Sequence, residues 1–266
     1  MGAERGCVMA ERPAGSSSYD PRSFWQGVLS GHPDLRGTGE PGLSLAYNRA
    51  MYDIRERVLT RELAKEGVKL SGAYVLDAGS GVGFYVGYYL RHGAKVTGIE
   101  LTDAGTELLR RKFPAARIVQ GDLSEVEPGG PYDVVNVWDV LYHITDDERW
   151  ERALRRLARA VAPGGVLFLT DVFEPWKGAL AAHNVMRPGS RYASLLAEEG
   201  LSVRRFVPTH WFLNRDLGAF KGLNRLPGLL HVADRFLLGI GVPSWEPANR
   251  LLVARRPSVS AAPRTA

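Results

Sequence analysis

The stretch VLDAGSGVGFY, residues 75–85, decides the fold. Val75 and Leu76 close a short β-branched run, Asp77 follows, and Gly79, Gly81 and Gly83 alternate before the aromatic pair Phe84-Tyr85. A strand that runs through a glycine-rich turn into a helix is the opening unit of a parallel α/β sheet. Working outward, the runs AYVLDA (73–78), AKVTGIE (94–100), ARIVQ (116–120), YDVVNVW (132–138) and GVLFLTD (165–171) recur with helical patterns at 81–92, 103–112 and 145–161 between them. Most are apolar almost throughout, as strands buried on both faces of a parallel sheet are. Strand alternating with helix five times predicts a right-handed doubly wound α/β sheet.

The helix over 145–161 reads as capped by Thr145 with Glu148. It carries the stripe Trp150, Ala153, Leu154, Leu157 and Val161, and Pro163-Gly164-Gly165 ends it. Upstream, Leu45, Met51, Ile54, Val58 and Leu63 suit an amphipathic helix within 43–65. Downstream, the reading is a helix near 189–199, a strand near 201–208, a helical insertion around 215–240 and a last strand over 249–256. The insertion either covers a pocket as a lid or packs on the sheet. Residues 1–20 and 257–266 are expected to be disordered tails. Residues 21–66 form an N-terminal helical cap, and 67–256 form the ligand-binding domain with its insertion at about 215–242.

The 266 residues, 45% hydrophobic and 24% charged, suffice for a real core and exclude a disordered or collagen-like chain. No apolar run is long enough to span a bilayer. The N-terminal MGAERGCVMAERP lacks the apolar region of a signal peptide. A single cysteine, Cys7, excludes an internal disulfide and a thiolate zinc site. A soluble, cytoplasmic protein is expected. The net charge of +5 rests on 28 Arg and 6 Lys, spread along helices (Arg152, Arg155, Arg156, Arg159) rather than interleaved with aromatics. No nucleic-acid and no membrane partner is expected, and the oligomeric state is open.

The glycines set the cofactor class. No Lys-Ser or Lys-Thr follows them, which excludes a nucleoside triphosphate loop. A dinucleotide fingerprint needs glycine at 84, where Phe84 stands. Asp77 repels a pyrophosphate but suits a cation, such as the ammonium and sulfonium of a sulfonium amino acid. Glu100, at the tip of the second strand, suits ribose hydroxyls, and Asp122 in GDLS (121–124) suits an adenine amino group with Leu123 against the ring. The fourth strand ends NVWDVLYHI (136–144), which presents Trp138, Asp139, Tyr142 and His143 as candidates for chemistry.

VLDAGSGVGFY, Glu100, GDLS, YDVVNVWDVLYHI and LARAVAPGGVLFLTD together resemble the successive motifs of class I S-adenosylmethionine-dependent methyltransferases. The resemblance is narrowest with the small-molecule branch (methyltransferase type 11/12-like) and covers residues 43 to 171. It implies a seven-stranded Rossmann-like methyltransferase sheet and S-adenosyl-L-methionine as cofactor. It places Asp77, Gly79, Ser80, Gly81 and Gly83 at the methionine end, Glu100 and Leu101 at the ribose, Asp122 and Leu123 at the adenine, and Trp138 near the sulfonium. Tyr47, Tyr52 and Arg55 are candidates for the donor's carboxylate. Tyr52 and Arg55 share a helical face.

Methyl transfer asks for alignment and exclusion of water, and an oxygen nucleophile also asks for a base. His143, with an ordinary pKa near 6.5, is the candidate base, or else it caps the following helix. Asp139 is the second catalytic candidate. As a metal ligand of the catechol-type branch it needs a further Asp and Asn, and Asp171 and Asn184 lack the spacing, so no metal is expected. His183, His210, Trp211 and Trp176 are candidates for the acceptor pocket. The expected function is methyl transfer to a small-molecule acceptor, to oxygen before nitrogen or carbon, in natural-product or other secondary metabolism. The alternative is a methyltransferase-like enzyme that cyclises or rearranges its substrate and transfers nothing. The amino-methylating nucleic-acid enzymes' Asn/Asp-Pro-Pro-Tyr motif is absent, and Phe84 weighs against a nicotinamide oxidoreductase.

Overall fold

A computed structural model describes residues 19–174, 183–213, 217–243 and 249–258. The elements run α1 (Pro21–Gly31), α2 (Leu45–Lys65), β1 (Tyr74–Ala78), α3 (Phe84–Arg91), β2 (Lys95–Glu100), α4 (Asp103–Lys112), β3 (Arg117–Gln120), β4 (Tyr132–Val137), α5 (Asp147–Arg159), β5 (Val161–Asp171), α6 (Gly189–Glu198), β6 (Ser202–Pro208), α7 (Pro227–Ile240) and β7 (Arg250–Arg255). Short 3-10 turns stand at Leu141–His143 and Gly218–Arg225.

One seven-stranded sheet has the order β3-β2-β1-β4-β5-β7-β6. The pairs from β3 across to β5 are parallel, and β7 runs antiparallel between β5 and β6. Strand order reverses between β1 and β4, and in such sheets ligands bind outside the carboxyl ends at that point. The doubly wound seven-stranded α/β architecture expected from the sequence is the one observed.

Two apolar layers sandwich the sheet. Met51, Ile54, Val58, Tyr88, Tyr89 and Phe168 fill one. Leu76, Val135, Trp150, Leu154, Leu157 and Leu167 fill the other. The stripe Trp150, Ala153, Leu154 and Leu157 faces this second layer as its spacing requires.

Four expectations need correction. The cap of α5 is Asp146, whose carboxylate accepts from Arg149 N at 2.8 Å, one residue after Thr145. Val161 opens β5 and does not close α5, with a register irregularity between Tyr132 and Val134 absorbing the Pro-Gly-Gly stretch. The helix α1 was not foreseen as a separate element, and Tyr19 and Asp20, expected in the disordered tail, are among the described residues. Asp20 caps α1 by accepting from Ser23 N at 2.8 Å, and Pro21 opens the helix. The described residues of the insertion pack on α2 through α7 rather than form the lid, with His231 Nε2 2.6 Å from Asp53 Oδ2 and Arg61 donating to the Leu238 carbonyl at 3.1 Å.

Candidate active site

A cavity of about 660 Å³ opens at the carboxyl ends of β1, β2 and β4, on the switch point. Its floor is the glycine turn and the strand tips: Gly79, Ser80, Gly81, Glu100, Leu101, Asp122, Leu123, Trp138 and Asp139 all line it. Its roof comes from the chain before the sheet, with Tyr19, Phe24 and Trp25 at α1 and Thr38, Gly39 and Glu40 in the loop that follows. Tyr52 and Arg55 of α2 close one side, and Tyr142, His143, His183 and Asn184 the other.

At the tip of β2, Glu100 braces the glycine turn. Its Oε2 accepts from Gly81 N at 2.9 Å, and its Oε1 accepts from Thr102 N and Oγ1 at 3.0 and 2.8 Å. Gly81 has φ 51°, and a Cβ there would stand 2.3 Å from Thr38 Cγ2. The roof loop therefore rests directly on the turn. It is held there by Tyr52, whose hydroxyl donates to the Thr38 carbonyl at 2.7 Å. Asn48 pins it further, accepting from Glu40 N at 2.7 Å and donating to the Glu40 carbonyl at 3.0 Å.

Beyond β3, Asp122 accepts from Ser124 N at 2.7 Å and from Arg149 Nη2 at 2.8 Å. Trp138 donates to Asn136 Oδ1 at 2.7 Å and stacks on Tyr85 with centroids 4.8 Å apart.

Three expected site residues lie outside the cavity wall. Tyr47 is fully buried in the core beneath α2, turned from the cavity by helical periodicity. Gly83 starts α3 at φ 81°, and a Cβ there would meet Phe113 Cε2 at 2.3 Å, so this glycine serves helix packing. Asp77 sits behind the turn, accepting from Asn136 Nδ2 at 2.7 Å, and burial pushes its carboxyl up to about 6. Of the suggested acceptor-pocket residues, only His183 lines this cavity. Trp211 lines a separate depression against α7, His210 is buried beside Thr209, and Trp176 lies outside the described residues.

Asp139 stands at φ 55°. Its Oδ2 is 2.6 Å from Arg55 Nη2, its Oδ1 accepts from Thr170 Oγ1 at 2.9 Å, and it also accepts from Asn249 Nδ2. Burial works to raise its carboxyl, but Arg55, Thr170 and Asn249 hold it below the ordinary carboxylate range. Through these contacts Asp139 holds Arg55 against the end of β4, and it lines the cavity as the sequence expects. Asp171, the other acid once considered as a ligand, is bound to the Tyr192 hydroxyl, and burial pushes it up to about 8.

His143 is half-buried in the cavity wall. Its Nδ1 lies 3.1 Å from the His183 carbonyl, which can only accept, so the ring proton sits on Nδ1 and Nε2 keeps its lone pair. Burial lowers its pKa to about 4 against the opposing hydrogen bond to the His183 carbonyl, and the ring is neutral at neutral pH. Aromatic rings surround it: Trp25 edge-on at 4.7 Å and Tyr142 at 4.2 Å, while Phe24 stacks on His183 at 4.7 Å. Glu40, missed in the sequence, lines the cavity, and burial raises its carboxyl against the opposing pull of Arg55. The pattern Asp20-Pro21 ahead of Phe24-Trp25 is the signal that would have flagged α1 and its aromatic contribution.

A cavity at the switch point of a doubly wound sheet, with acids at successive strand tips, defines an enzyme of the nucleoside-cofactor class. A methyltransferase domain family model matches residues 47–216. The chain belongs to this family, the class I methyltransferases that depend on S-adenosylmethionine. Among curated proteins it is 34% identical over 143 residues to dTDP-4-amino-2,3,4,6-tetradeoxy-D-glucose N,N-dimethyltransferase of Saccharopolyspora spinosa, covering 49% of this chain and 53% of that one. A ubiquinone biosynthesis O-methyltransferase of Coxiella burnetii is 23% identical over 121 residues, 44% of this chain and 50% of the other. The chain thus spans about half the length of these curated relatives. The solved magnesium protoporphyrin IX methyltransferase of Synechocystis, with bound S-adenosylhomocysteine, superposes at TM-score 0.59 and 18% identity, covering 88% of this chain and 97% of the other. At that identity the likeness concerns the fold.

Proposed function

We propose that the chain transfers a methyl group from S-adenosylmethionine to a hydroxyl of a small organic acceptor. The observation that carries this reading is that one cavity joins the strand-tip acids to His143, whose Nδ1 lies 3.1 Å from the His183 carbonyl. The cavity also fits the cofactor's polar groups. Arg55 Nε and the Tyr85 hydroxyl, both on its wall, are buried without a hydrogen-bond partner. A guanidinium N–H of that kind suits the donor's carboxylate.

Bound S-adenosylmethionine supplies a methyl group already activated on a sulfonium sulfur. Glu100 and Leu101 would hold the ribose, and Asp122 and Leu123 the adenine. Ser80 and the backbone at Gly79 and Gly81, with Tyr52 and Arg55, would hold the methionine end. Glu40, on the cavity wall where Asp77 is not, is the carboxylate assigned to the donor's ammonium. The rings of Phe24, Trp25, Tyr142 and His183 exclude water and seat an apolar or planar acceptor. His143 Nε2 would take the acceptor's hydroxyl proton as that oxygen accepts the methyl group. The His183 carbonyl holds Nδ1–H throughout, so the imidazolium that forms stays oriented.

Calorimetric titration with S-adenosylmethionine, S-adenosylhomocysteine and NADP, repeated on Glu100→Ala, tests the cofactor half. Binding of the sulfur nucleosides alone, weakened in the variant, is expected, whereas binding of NADP alone overturns the reading. Mass spectrometry of acceptor mixtures tests the chemistry. A product heavier by one methyl group supports transfer, and an isomerised product of unchanged mass favours the cyclising alternative. Hydroxyl and amine acceptors assayed side by side separate O- from N-methylation, for which the two curated relatives offer one precedent each.

A further inference from the structure

Eight large apolar residues are markedly exposed among the described ones, and six of them fall on the single stretch 217–243. Phe220, Leu226, Leu229, Val232, Phe236 and Ile240 are each 55–71% exposed. Within α7 the inner face is Leu230, Asp234 and Leu238, all buried against α2 and the loop at 211–213. Leu229, Val232, Phe236 and Ile240 recur three and four apart and so form a continuous stripe on the opposite face. A helix apolar on two faces has one face too many for a surface element facing water.

Charge on the stretch is one-sided. Lys221, Arg225 and Arg235 are exposed, while the one carboxylate of residues 217–243, Asp234, is buried, accepting from the backbone N–H groups of Phe212 and Leu213 at 2.8 and 3.1 Å. His231 is turned inward to Asp53. An apolar stripe flanked by cations, with no exposed acid, matches the interfacial zone of an anionic bilayer, where acyl chains take the stripe and headgroups take the cations. A second copy of the chain fits less well, because pairing two such stripes brings like charges to the seam with nothing on the stretch to meet them.

We propose that the α7 face docks this protein on anionic phospholipid surfaces. This departs from the expectation of no membrane partner, which rested on spanning segments. No helix among the described residues is long and apolar enough to cross a membrane, and the proposed contact lies in the surface plane. The face is remote from the cavity, whose wall includes no residue of 217–243. Docking would leave the site open to an acceptor delivered from the lipid surface or from water.

The test is co-sedimentation of the full chain with vesicles of phosphatidylcholine alone and of phosphatidylcholine mixed with phosphatidylglycerol. Binding to the mixed vesicles, weakened at least about tenfold by raised salt, is expected. Val232→Ser/Phe236→Ser should reduce it at least about tenfold, as should Lys221→Gln/Arg225→Gln/Arg235→Gln. The altered positions are exposed, so unchanged thermal unfolding confirms that the variants are folded. No binding to anionic vesicles overturns the proposal, as does equal binding to neutral ones. A lipid-free dimer that Val232→Ser/Phe236→Ser dissociates overturns it in favour of a second copy.

Discussion

Arg55 and Asp139 meet at 2.6 Å across the cavity wall, and Asp139 reaches the contact from a left-handed backbone at φ 55°. The pair ties α2 to the end of β4, so the cap and the sheet share one buried charge pair. Removing one partner of such a pair strands the other charge in a place water hardly reaches.

Arg55→Ala is therefore expected to destabilise the fold by about 3–5 kcal/mol. Asp139→Asn should cost less, because asparagine tolerates the left-handed conformation and still accepts from Thr170. Arg55→Ala/Asp139→Asn should be less damaged than the sum of the single changes, by about 1 kcal/mol or more. Urea unfolding midpoints of the four proteins test the coupling, and additive costs would show the two groups to be independent.

Gly81→Ala is expected to do two separable things. The left-handed backbone itself costs about 1–2 kcal/mol for a residue with a Cβ. The new methyl also pushes on Thr38, 2.3 Å from where its Cβ would stand, and should loosen the roof and weaken nucleoside binding. Thr38→Ser deletes the opposing methyl, so the double variant should regain affinity without regaining stability. Calorimetry paired with thermal unfolding distinguishes the two effects.

The donor's ammonium discriminates between two carboxylates. If Glu40 meets it, Glu40→Gln weakens S-adenosylhomocysteine binding by about tenfold, the scale of one charge-assisted hydrogen bond. Asp77→Asn, behind the turn and facing Asn136, should change affinity less. The reverse order in titration would restore Asp77 to the role expected from the sequence.

His143 carries a prediction in pH. Its pKa of about 4 in the folded chain lies below the ordinary value of 6.5, so the base is already neutral at pH 6. The acid limb of turnover due to this group should fall near pH 4. The unfolded chain takes the proton first, so between roughly pH 6.5 and 4 acidification destabilises the fold, by about 3 kcal/mol in total from this residue. His143→Gln should remove that part of the pH dependence and cut turnover by about 10²–10⁴-fold while leaving donor affinity intact. Turnover unchanged in the variant would make His143 a structural residue.

The strands and the floor of the cavity were legible because their signals are local. Gly79 to Gly81, Glu100, Asp122 and Trp138 sit at the ends of apolar runs, and sequence order alone puts those ends together once the sheet is parallel. Burial direction was not legible: nothing in YNRAMYDIRER says that Tyr47 points into the core while Tyr52 and Arg55 reach the cavity. Nor does spacing reveal that Gly83 faces Phe113, thirty residues away in the chain. The roof escaped because Thr38 and Glu40 lie in an irregular loop, positioned by Asn48 eight residues on from Glu40. That Asp139 meets Arg55, Thr170 and Asn249 was not legible either, because those partners come from distant parts of the chain.

The loop held by Asn48 has an implication for how this enzyme can diversify. The roof of the cavity comes largely from one contiguous segment, residues 19–41, while its floor comes from strand tips scattered over the next hundred positions. On the proposed function this segment serves both ligands: Phe24 and Trp25 would meet the acceptor, while Thr38 rests on Gly81 and Glu40 would meet the donor, so a change within it, docked by Asn48 and Tyr52, should shift acceptor preference and donor affinity together.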